Sequence, residues 1–250
     1  MSILLLLVAL LMVVVILTLP SYNQKRKRPE ADDALYPKLY DSIHGGSTSC
    51  LETVEEIVPE SARLLDAGCG TGALVNALKA DSVGMDISKD MVAEAKRRYP
   101  DKHFIVGDVL ERSTFRKETF THIVCLGYSV YWFSSKLLFF KNCNYWLEDN
   151  GVLILHVAAN PKKAIEAPQY ERNFKYRGNF VGNTYVEHME YKNKSARVEN
   201  KLHFESIETI TKLGESSGFV LKQVLQCGAS DNSSLLQVWV KSDFPLKSWS

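Results

Sequence analysis

The residues best suited to chemistry lie at 64–74, LLDAGCGTGAL, where an apolar run ends in Asp66 and passes through Gly68, Gly70 and Gly72 into a helical pattern. Three glycines let a chain turn tightly and approach a ligand where any Cβ would collide. Fourteen residues after Gly72, a second apolar run ends in Gly84-Met85-Asp86, and a third is followed by Gly107-Asp108-Val109. Three acids at the ends of successive strands, opposite a glycine turn, describe an adenosine site at the carboxyl edge of a parallel sheet. The charge narrows the ligand. A pyrophosphate favours bare helix-terminal N–H groups, and Asp66 at the entry of the turn would repel it, whereas a cationic amino-acid tail would be welcomed. The glycine spacing is also GxGxG rather than GxGxxG, so an NAD-dependent oxidoreductase is the weaker alternative.

The elements that must hold these residues follow from the apolar pattern. Strands are expected at 63–66, 82–86, 103–106, 121–127 and 151–157, alternating with helices at 49–58, 73–79, 89–98 and 134–147. Strands separated by helices require right-handed crossovers, hence an α/β doubly wound, mostly parallel, Rossmann-like sheet. Beyond Asn160 the period changes to two. Residues 185–191 and 196–204 read as a hairpin in a β insertion over 160–204 that covers the substrate side. A helix at 206–216 and an antiparallel hairpin, 219–225 with 235–240, close the chain.

All 59 charged residues lie beyond position 20, and the balance of 30 basic against 29 acidic side chains gives no field that would gather nucleic acid. Residues 3–19 are apolar except for Thr18, reaching about 26 Å as a helix. Residues 1–20 therefore read as a transmembrane anchor and 21–34 as a polar linker, with 35–250 as the folded domain. Lys25, Arg26, Lys27 and Arg28 after the anchor place that domain in the cytoplasm. Five cysteines without a CxxC or a Cys/His ligand spacing suggest a reducing compartment and no bound metal.

Residues 64–74, Asp86 and Asp108 resemble the class I S-adenosylmethionine-dependent methyltransferases, and the resemblance extends over 35–250. It implies a seven-stranded sheet and S-adenosyl-L-methionine as cofactor. By that resemblance Asp66, Gly68, Gly70 and Gly72 line the methionine part, Asp86 with Ile87 holds the ribose, and Asp108 with Val109 contacts the adenine. Leu126 and Gly127 sit beneath the methyl. The Asn-Pro-Pro-Tyr signature of amino-methylating members is absent at Leu126-Gly127-Tyr128-Ser129, which turns the expectation away from nucleic-acid bases and protein amides. The membrane segment suggests a small-molecule or lipid-like acceptor. His156, late on the fifth strand, is the best placed of six histidines to act as a base, with Tyr131 beside it as a further catalytic candidate. Tyr128, Tyr131 and Trp132 suit an aromatic acceptor wall, and Tyr40 with Asp41, ahead of the first helix, suits a lid over the cofactor. Tyr185, His188 and Tyr191 could roof the substrate. A non-catalytic cofactor-binding scaffold is the other alternative.

Overall fold

The structure, a computed structural model, describes residues 35–44, 48–167, 174–191, 194–227 and 234–242. The expected anchor and linker lie outside the described residues, and among the described residues no helix is long and apolar enough to cross a membrane. The chain runs α1 (Leu35–His44), α2 (Thr48–Ile57), β1 (Arg63–Ala67), α3 (Ala73–Ala77), β2 (Asp81–Asp86), α4 (Lys89–Arg98) and β3 (His103–Val106). Then come β4 (Phe120–Cys125), α5 (Lys136–Trp146), β5 (Leu147–Ala158), α6 (Pro161–Ile165), β6 (Lys175–Val181), β7 (Thr184–Tyr191) and β8 (Lys194–Lys201). Helix α7 (Ile207–Ser216), β9 (Phe219–Gln226) and β10 (Ser234–Lys241) complete it.

Seven strands form one sheet in the order β3-β2-β1-β4-β5-β10-β9, and β6, β7 and β8 form a separate antiparallel sheet. Neighbours from β3 to β5 are parallel, while β10 runs antiparallel to β5 and β9. The order reverses between β1 and β4, which is where a doubly wound sheet opens a crevice for ligands. The inner strands are apolar on both faces because helices cover both. Leu65, Ile123, Leu153 and Leu155 join the core under Phe139, Phe140, Trp146 and Trp239. Their neighbours Leu64, Val124 and Ile154 point the other way, toward Cys50, Val54 and Leu74. Helix α4 carries its own start and stop signals. Ser88 accepts from the Met91 N–H, Asp90 lies in the first turn, Lys96, Arg97 and Arg98 fill the last, and Pro100 follows.

The structure departs from the sequence expectation in three places. Tyr40 and Asp41 belong to α1 rather than preceding the first helix. The insertion has a third strand, β6, paired with β7. Its Gly178 reads as a strand breaker, yet a Cβ there would strike the Tyr176 and Tyr185 hydroxyls, so the tyrosine pair demands glycine. Finally, Cys50 and Cys227, 177 residues apart, form a disulfide, against the expectation of a fully reduced set.

Candidate functional site

The glycine turn is held by hydrogen bonds from its own amides to β2. Gly68 and Cys69 both donate to the Met85 carbonyl, at 2.8 and 3.0 Å, stitching the end of β1 to that of β2. Gly68, Gly70 and Gly72 have φ of 84°, 52° and 87°, values that L side chains avoid. At Gly72 a Cβ would also lie 2.6 Å from the Phe104 ring. Asp86 accepts from Gly70 N–H at 3.0 Å and from Ser88 N–H at 2.8 Å, so one carboxylate fixes both the turn and the start of α4. Asp108 lies at the next strand end and accepts from Leu110 N–H at 2.9 Å. The Val109 side chain is buried in the core, and its carbonyl accepts from Asn142, which leaves its N–H as the group available to a base. Ile87 and Val106 stand exposed beside these acids, although both are large and apolar.

Asp66 is 3% exposed, and burial, with the Asp86 charge second, pushes its carboxyl up to about 8. An acid kept from ionising in the free protein is matched to a ligand that brings positive charge. The turn is thus a cradle with three positions free of Cβ atoms, backed by a poised carboxyl, and its shape and charge fit the aminoacyl and ribose parts of S-adenosylmethionine.

Above the turn lies α1. Asp41 accepts from Thr71 Oγ1 at 2.8 Å and pairs with Arg98 of α4, whose guanidinium also holds Glu94. Tyr36, Tyr40 and His44 recur every fourth residue and form a ring stack, with centroids 5.7 and 4.7 Å apart. Tyr40 comes within 4.0 Å of where a Cβ on Gly70 would be. On either side of Tyr40, α1 is pinned to the insertion sheet by Glu187, which is fully buried on β7. Its carboxylate accepts from Tyr36 at 3.1 Å, His44 Nε2 at 2.9 Å, Tyr176 at 3.0 Å and Asn200 at 3.1 Å. A buried carboxylate persists when its lone pairs are filled in this way. In the neutral His44 ring that donates Nε2–H to Glu187, Nδ1 is the acceptor.

Of the aromatic side chains expected at an acceptor wall, Tyr131 is fully buried and exchanges hydrogen bonds with the Ala158 backbone, at 3.1 and 3.3 Å. These bonds tie it to the end of β5, away from solvent. Trp132 packs against the same core, and Leu126 is buried on the opposite face of the sheet. Tyr128 has φ 58° and stacks on His156 at 4.0 Å. His156, the candidate base, also lies in the interior. It is 4% exposed, burial pushes its imidazole down to about 3, and its Nε2 lies 2.7 Å from Ser234 and 3.6 Å from the Cys50 sulfur. In the insertion Tyr185, Glu187 and Met189 face inward, whereas His188, between the last two, is exposed.

Residues 65–155 match the family model of a methyltransferase domain. A dTDP-3-amino-3,6-dideoxy-α-D-glucopyranose N,N-dimethyltransferase of Streptomyces fradiae is 34% identical over 115 residues, 41% of this chain and 44% of that enzyme. The matched region spans less than half the length of that relative. Among solved structures, a sugar N-methyltransferase of Streptoalloteichus superposes with a TM-score of 0.67 at 18% identity, over 84% of this chain and 93% of its own. An amino pentose methyltransferase of Micromonospora echinaspora, solved with S-adenosylmethionine bound, gives 0.59 at 20% identity, over 80% and 91%. Residues 65–155 are thus similar to a methyltransferase domain, and the chain has the fold of these methyltransferase structures.

Proposed function

We propose that this chain transfers a methyl group from S-adenosylmethionine to an amine of a small-molecule acceptor bound between the glycine turn, α1 and the insertion sheet. The observation that carries the reading is Asp66: a buried carboxyl at the mouth of a turn whose glycines leave no room for side chains. The cofactor supplies a methyl on a positively charged sulfur, already a good leaving group. The protein's part is then alignment and exclusion of water. Asp66 answers the cationic tail, Asp86, held by the Gly70 amide, takes the ribose side, and Ile87 with Val106 offer apolar flanks to the base. Tyr40 closes over the turn from α1.

An amine acceptor must present its lone pair, so a proton has to leave it. His44 is suited to take that proton, because Glu187 holds its Nε2–H and leaves Nδ1 to accept. The relative from Streptomyces acts on an amino sugar carried on dTDP, which makes dTDP-amino sugars the first acceptors to offer. An N-terminal anchor at residues 1–20 would hold the domain at a membrane and widen the candidates to lipid-like amines. The test is transfer of labelled methyl from S-adenosylmethionine to dTDP-amino sugars and to membrane extracts, alongside calorimetry with S-adenosylhomocysteine. Binding with transfer to either class supports the reading. Binding without transfer to any amine favours a scaffold, and no binding removes the assignment.

A further inference from the structure

Cys50, Cys227 and His156 come together on the face of the sheet away from Tyr131 and the phenylalanine core. Cys50 is on α2, His156 on β5, and Cys227 directly follows β9. All three are buried, at 0%, 4% and 4% exposure. From His156 Nε2 the two sulfurs lie at 3.6 and 3.9 Å. Ser234, at the start of β10, places its Oγ 2.7 Å from Nε2 and 3.6 and 3.8 Å from the sulfurs. The ligand atoms of the two cysteines and the histidine all fall within 4.8 Å of one another.

A disulfide by itself does not call for this company. An imidazole packed on an apolar sheet face is costly, and His156 Nδ1 has no hydrogen-bond partner among the described residues. A leucine would fill the space without that cost. Two sulfurs and one imidazole nitrogen are instead the donor set of a thiophilic cation. Zinc bonds of about 2.3 Å to sulfur and about 2.0 Å to nitrogen set tetrahedral S···N edges near 3.5 Å, close to the separations present here.

We propose that Cys50, Cys227 and His156 form a binding site for a thiophilic divalent cation of the zinc class, available once the disulfide is reduced, with Ser234 beside the fourth position. A dithiol reductant delivers two electrons and two protons, opening the S–S bond to two thiols while itself becoming a disulfide. Cation binding then displaces both thiol protons. Two thiolates and a divalent cation sum to zero charge, which suits a buried site. The sulfurs must part to about 3.8 Å, which breaking their bond allows. The cation would replace the disulfide as the tie between α2 and the β9–β10 hairpin and would add β5 through His156. The site therefore gives one set of residues a cross-link in both oxidising and reducing surroundings.

The test uses the full chain purified under a phosphine reductant without oxygen, incubated with zinc alone, desalted, and analysed for metal. About one zinc per chain is expected after reduction, and none for chain oxidised before the incubation. H156A and C227S should each lose the metal. H156A keeps both cysteines, so it remains informative if C227S does not fold. S-adenosylhomocysteine binding, measured on the same samples, reports the integrity of the cofactor site independently. Reduced wild-type chain that retains no zinc overturns the proposal. So does zinc retained equally by H156A and the wild type, since it would then sit elsewhere. Loss of S-adenosylhomocysteine binding with zinc intact would count against the methyltransferase reading and leave the cation site standing.

Discussion

The two sides of the crevice are built on different principles. On the side proposed for the cofactor the defining features are mostly backbone: left-handed turns and empty Cβ positions within 64–72, fixed by the Met85 carbonyl and the Asp86 carboxylate. On the acceptor side they are side chains drawn from distant segments, Tyr36 and His44 meeting Glu187 across 151 and 143 residues. A backbone site tolerates change poorly and fits one ligand, whereas a side-chain site can be rebuilt residue by residue around a new acceptor. Substitutions on the two sides should therefore separate cofactor affinity from acceptor affinity.

The largest separation is expected at Asp66. D66N should weaken S-adenosylhomocysteine binding by at least about a hundredfold, near 2.7 kcal/mol, read by calorimetry. The same change should stabilise the free protein. Asp66 has a folded pKa of about 8 against 3.8 when unfolded, so its contribution is intact below pH 3.8 and is lost as pH rises to about 8. Asparagine does not ionise, and the urea midpoint at pH 8 should rise above that of the wild type. A lower midpoint with unchanged binding would break the contrast at its strongest point.

G72A comes next. Its φ of 87° and the Phe104 ring 2.6 Å from the new Cβ add strain to overpacking, together about 3 kcal/mol or more in urea unfolding. G68A shares the positive φ but meets only the Ser129 side chain, at 3.0 Å, and should cost about half as much. Equal losses would mean that the backbone, not the fit against Phe104, sets the penalty.

E187Q should move the other side. Glutamine turns one oxygen that accepts two hydrogen bonds into a donor, leaving two of Tyr36, His44, Tyr176 and Asn200 unmatched. The expected result is a rise in acceptor KM of about tenfold with S-adenosylhomocysteine affinity within about twofold. A parallel fall in both would show that the two sides act as one unit.

The same division explains what could be read from sequence. The alternation of β1 to β5 and the helices between them is legible because each strand is apolar on both faces and each helix ends at a local signal, as at Ser88 and Pro100. The turn is legible because all its glycines and Asp86 lie within about twenty residues. His44 and Glu187 gave no such sign. Their partnership depends on how α1 and β7 pack, and an isolated His or Glu on an amphipathic element ordinarily faces water. His156 misled for the converse reason. Its place near a strand end suggested the crevice, but alternation along β5 turns it away from Leu155 and Val157, toward Cys50 and Leu236. The disulfide escaped notice because 177 residues separate its halves.

A pH titration of binding sharpens the cofactor side further. The free protein holds a proton on Asp66 below about pH 8, and a cationic ligand favours the ionised carboxylate, so binding releases that proton. Affinity for S-adenosylhomocysteine should climb with pH, by up to about tenfold per unit between pH 6 and 8. Above that it should level off and then fall as the ligand's own α-ammonium group loses its proton at more alkaline pH. In D66N the rising limb should vanish. A rising limb that survives the substitution would assign it to another group and weaken the case for Asp66.

The smallest effect is expected where the two sides meet. Arg98 joins Asp41 of α1 to Glu94 of α4, and Asp41 in turn holds Thr71 of the glycine turn. Glu94 keeps Arg97 as a second partner, so R98A leaves that carboxylate paired while Asp41 loses its cation. The Asp41–Thr71 hydrogen bond remains, and Glu187 still holds α1 from its other side. S-adenosylhomocysteine affinity and acceptor KM should therefore change together and modestly, each by about two- to fivefold, since a partly exposed ion pair contributes about 1 kcal/mol or less. A change confined to the acceptor would place α1 wholly on the acceptor side. A change confined to the cofactor would make α1 part of the glycine cradle, and would require Glu187 to serve the cofactor as well.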